Sequence, residues 1–118
     1  MVTKDVVRES ILRLAMEGKS LRTIHYSELT DDLELPRSTG NWKSHPLCLI
    51  FNELDREDHL RKQPPVTALV VNERSGIPGV GFFNTYYQLA GFGKCALNED
   101  AKRELHRAIL KQLTEAIL

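Results

Sequence analysis

Two consecutive prolines, Pro64 and Pro65, cut the chain at the point where its hydrophobic period changes. Ahead of them, apolar residues recur at helical spacing. Behind them comes V-T-A-L-V-V-N, residues 66–72, a β-branched run that predicts a buried strand. Proline lacks a backbone N–H and clashes with the preceding turn, so neither residue fits inside a helix. Helices before the break and a strand after it imply an α+β domain.

The helical half divides further. Val7, Ile11 and Leu14 place one apolar stripe on a helix from about Lys4 to Glu17, with Thr3 as N-cap and Gly18 as its left-handed stop. Ile24 and Tyr26 alternate with Thr23 and His25, as in a very short strand. Ser27 is placed to cap a short helix from Glu28 to Glu34, and Pro36 follows it. The run P-R-S-T-G-N-W-K-S reads as a loop. Ser44 is expected to cap a third helix that begins His45-Pro46 and runs to about Arg61, with Leu47, Ile50, Phe51 and Leu54 inward. Behind the prolines, E-R-S-G makes a turn and I-P-G-V-G-F-F continues as a glycine-punctuated strand or wing. The run N-T-Y-Y-Q-L-A-G-F-G-K is expected to be a loop or edge. Asn98 caps a last helix whose inward stripe is Leu105, Ala108, Ile109, Leu113, Ala116 and Ile117.

The 118 residues suit one domain with one core, spanning residues 1–118. Lysine plus arginine number 16 and aspartate plus glutamate 16, so the formal charge is zero. Domains held to nucleic acid by phosphate contacts usually carry a basic excess. Cys48 and Cys95 are expected to be inert thiols in a reducing compartment. The N-terminus lacks an apolar signal-peptide region, and no apolar run reaches the roughly 20 residues of a membrane helix. The expected location is the cytoplasm of a microbe, with no membrane attachment.

The order helix, short strand, helix, helix, strand, strand, helix resembles a winged-helix domain, a helix-turn-helix with a β wing and a C-terminal helix. The motifs I-H-Y-S-E-L, then L-E-L-P, then the P-x-x-x-x-V-V strand and G-x-x-G-x-G-F resemble the C-terminal domain of alkylguanine-DNA alkyltransferases over about half the chain. That family places a nucleophilic cysteine and a histidine at the start of the strand, where this sequence has Val66, Thr67 and Ala68. The resemblance therefore implies the fold without the alkyl transfer. The pairing of P-P-V-x-A-L-V-V-N with G-I-P-G-x-G-F is also similar to a group of small bacterial proteins of unassigned function.

No residues stand out as a catalytic set or as a metal site, and no cofactor is expected. His25, His45, His59 and His106 read as solvated surface histidines. The glycines of G-I-P-G-V-G-F are ordered differently from a dinucleotide-binding loop, and Gly79 and Gly81 are expected to permit unusual torsions or close approach. Charge offers two binding surfaces. Glu28, Asp31, Asp32 and Glu34 on the second helix, with Asp55 and Asp58 on the third, form an acidic set. It suits a small bacterial immunity or antitoxin-like protein that neutralises a basic nuclease toxin. Alternatively, Arg37, Lys43, His45 and Arg74 would hold duplex DNA for a transcriptional regulator.

Overall fold

The structure is a computed structural model that describes residues 2–37 and 42–118. Residues 38–41, inside the expected P-R-S-T-G-N-W-K-S loop, lie outside the described residues. The chain is α+β, but helices and short strands lie on both sides of Pro64-Pro65 rather than being divided by it.

Helix α1 (Lys4–Ala15) starts where Thr3 accepts a hydrogen bond from the Val6 N–H. Its Val7, Ile11 and Ala15 are fully buried. It ends three residues before Gly18, because Met16–Glu17 (β1) turns back antiparallel on Ser20–Leu21 (β2). Gly18, at φ +62°, supplies the left-handed torsion of that turn rather than a helix stop.

Strand β3 (Ile24–His25) pairs in parallel with β4 (Val70–Val71), Ile24 opposite Val70. Between them run α2 (Tyr26–Asp32), a 3-10 turn (Trp42–Ser44) and α3 (Pro46–Leu60). The expected strand at 66–72 is mostly a second 3-10 turn, Val66–Leu69, that opens into β4. All six residues from Val66 to Val71 are buried. This central segment packs against α1, α3 and the last helix, α5 (Glu99–Ile117).

The expected wing is a helix. Pro78 and Gly79 lead into α4 (Val80–Leu89), and Phe82, Phe83, Tyr86 and Leu89 share a helical stripe. Neither Gly79 nor Gly81 has a left-handed torsion, and a side chain on Gly81 would meet open space. The left-handed glycine of the motif is Gly76, φ +74°, in the turn that follows β4.

Helices α2, α3 and α4 end alike. The residue after each C-cap is left-handed, and the next N–H reaches back to the last turn: Leu35 to Thr30, Gln63 to Asp58 and Phe92 to Tyr87. This is the Schellman arrangement, which glycine favours. Gly91 fits it, but Glu34 and Lys62 take the same torsion at φ 56° without being glycine.

Candidate functional site

The third helix carries the chemistry of the site. Leu47, Phe51 and Leu54 fix its inward face, and Asp55 and Asp58 fall on that same face. Both carboxylates are buried, Asp55 at 5% and Asp58 at 2% exposure.

Asp58 is fully engaged. One oxygen pairs with Arg8 of α1 at 2.8 Å, and the other accepts from the Val66 N–H at 2.9 Å. Beside it Glu57 binds Lys4, Arg8 and Arg61, which holds its carboxyl below the usual range, chiefly through the Lys4 hydrogen bond. Together these groups clamp α1 to the C-terminal half of α3.

Asp55 has no such partner. Thr67 donates its hydroxyl to Oδ1, and among the described residues no donor reaches Oδ2. Burial pushes the Asp55 carboxyl up to about 7, against the Thr67 hydrogen bond, with the nearby Asp58 charge adding to the rise.

Asp55 opens on a cleft of about 440 Å3 between α3, the 61–65 connection, α4 and α5. Its buried floor is Asp55 and Phe82. Pro64, Pro65, Tyr86 and Leu89 form half-buried apolar walls, and His59 and Lys62 stand exposed at the mouth. Asp55 and His59 share one face of α3, being four residues apart. The Schellman turn at Lys62 then redirects the chain so that the two prolines line the cleft. Phe82 and Tyr86 are stacked with ring centres 6.2 Å apart. The volume and apolar lining are those of a small-molecule site.

The other expected site residues are dispersed. His45 is buried, not solvated. Its Nδ1 accepts from the Leu47 N–H as the N-cap of α3, a role expected for Ser44, and its Nε2 donates to the Pro36 carbonyl at 2.6 Å. It also stacks on Trp42, so it cannot face a DNA base. His106 is likewise interior, donating to the Ala68 carbonyl at 2.8 Å, and burial pulls its pKa down. Arg37 is exposed but pairs with Asp31. Lys43 and Arg74 are exposed, and among the described residues no anionic partner meets them.

The acidic set is divided in the same way. Asp55 and Asp58 are interior and present no charge on the outer surface of α3. Glu28 faces Arg22, and Asp32 faces Arg13 and Ser10, which hold its carboxyl low. Glu34 alone of the six is exposed and without an ion pair among the described residues.

Among the described residues, no group of three or more potential ligands is placed to hold a metal ion. No described helix is long and apolar enough to cross a membrane. Comparison with protein-family models, with curated proteins and with solved structures returns no match for this chain.

Proposed function

We propose that this protein works by binding, and that its binding site is the cleft over Asp55. One observation carries the reading: a buried carboxyl with a free oxygen opens on an apolar cleft where three helices meet. The oxygen that Thr67 leaves without a protein donor is open to a donor that a ligand in the cleft would bring. Among the described residues the hydroxyl beside Asp55 is that of Thr67, which is buried and does not line the cleft, and this favours binding over catalysis.

A titration with small aromatic fragments tests this, read by the amide NMR shifts of labelled protein. Binding should perturb residues 55–65 and 82–90. Ala90→Trp, which fills the cleft from an exposed position, should abolish the response. Shifts that cluster elsewhere, or that survive Ala90→Trp, would refute the assignment.

A second reading, duplex DNA binding, draws support from Lys43 just ahead of α3 and from Arg74, both exposed and unneutralised. The order β3, α2, α3, β4 supports kinship with winged-helix domains, with α4 standing where a wing would be. The inhibitor reading keeps less support, since five of its six carboxylates are buried or face arginines.

A further inference from the structure

Resting on that cleft as the binding site, we infer that its ligand is an organic cation, a protonated amine carried on an aromatic or aliphatic body. Among the described residues Asp55 lacks a counter-charge. The other carboxylates of α3 that are buried or half-buried each meet a cation: Glu57 meets Lys4 and Arg8, and Asp58 meets Arg8. Asp55, buried as deeply, meets none among the described residues. A buried carboxylate is stable when paired, so the absent counter-charge is what a ligand entering the cleft would bring.

The walls suit the same ligand. Phe82 and Tyr86 bring aromatic rings to the lining, with which a cation can interact, and Pro64, Pro65 and Leu89 cover an apolar body. His59 and Lys62 oppose a cation only at the exposed mouth, where solvent and salt screen them. At the floor the pair forms in a low-dielectric environment, where the attraction is stronger. The groups that set the charge of Asp55 are therefore few. Asp58 lies on its own helix and pairs with Arg8, though its charge still raises Asp55; the Tyr26 phenol approaches from α2. Thr67 comes from the central segment, and α4 and α5 contribute uncharged Tyr86 and Gln112.

The test compares three probes of one shape: 2-phenylethylamine, 2-phenylethanol and 3-phenylpropanoate. Each is titrated calorimetrically into the wild type, Asp55→Asn and Tyr86→Leu. At pH 8 the amine should bind at least about tenfold more tightly than the alcohol, as one buried charge pair requires. From pH 8 to pH 6 its affinity should fall about tenfold as Asp55 takes up its proton. Asp55→Asn should erase the preference for the amine, and Tyr86→Leu should weaken amine binding with the pH dependence retained. Equal binding of amine and alcohol, preference for the carboxylate, or no binding of the amine would each overturn the inference. Persistence of the preference in Asp55→Asn would do the same. Binding of the alcohol or the carboxylate in the cleft would leave the cleft itself standing as the site.

Discussion

Asp55 sits among leucines and aromatics, and its ionisation works against folding. Its carboxyl rises from 3.8 in the unfolded chain to about 7 in the fold. The stability it contributes is therefore full below pH 4 and is lost progressively as pH climbs through 7. A rise of that size corresponds to about 4 kcal/mol at alkaline pH. Asp55→Asn keeps an acceptor for Thr67 and removes the charge. In urea unfolding the variant should match the wild type near pH 4 and exceed it by about 4 kcal/mol at pH 8. Parallel pH profiles would mean that Asp55 is solvated. The sign is opposite for Asp32 and Glu57, whose partners hold them low. What they contribute is present at neutral pH and is lost as acid protonates them. The signal for Asp55 was present in the sequence: Leu47, Phe51, Leu54, Asp55 and Asp58 follow one another at helical spacing on a single stripe. Reading both aspartates as part of a charged helix end concealed that. His106 was legible in the same way, three and seven residues before Ile109 and Leu113.

At the scale of elements, α1, α3 and α5 were readable from their stripes, although Ala108 and Ala116 of the expected α5 stripe are exposed, and so were the caps Thr3 and Asn98. Helix α4 was not, because Gly76, Pro78, Gly79 and Gly81 mask the spacing of Phe82, Phe83, Tyr86 and Leu89. Gly81 distinguishes a helix from a wing. In the first turn of α4 its replacement by alanine meets no atom and should stabilise the protein by about 0.5–1 kcal/mol. A loss of stability on Gly81→Ala would restore the wing. The Schellman ends give a companion expectation. Glu34 holds a left-handed torsion that costs a non-glycine residue, so Glu34→Gly should gain about 1 kcal/mol. The clamp between α1 and α3 should be costly to break: Arg8→Ala strands the buried Asp58 and should lose about 3 kcal/mol or more. Phe51→Ala, which removes a ring packed against both Tyr26 and Trp42, should lose about 3–5 kcal/mol. Chemical denaturation of each variant checks these values.

For the whole molecule, neutral composition already argued against a surface dominated by one charge, and the ion pairs explain how that neutrality is arranged. Arginines from α1, from the β2–β3 connection and from the α2–α3 loop reach the carboxylates of α2 and α3, consuming both the acidic and part of the basic set. Arg22 and Arg37 lie six residues from their partners, whereas Arg8 and Arg13 reach across the fold, and no sequence pattern announces that longer pairing. Should DNA be a partner, Lys43→Ala with Arg74→Ala should weaken duplex binding and flatten its dependence on salt. The cleft makes the stronger claim, and it stands on the state of one carboxyl. A pH titration of the Asp55 side-chain carbonyl carbon by NMR measures that state directly. The midpoint should lie near 7 in the free protein and move to lower pH when 2-phenylethylamine saturates the cleft. A midpoint near 4 that the amine leaves unmoved would contradict it.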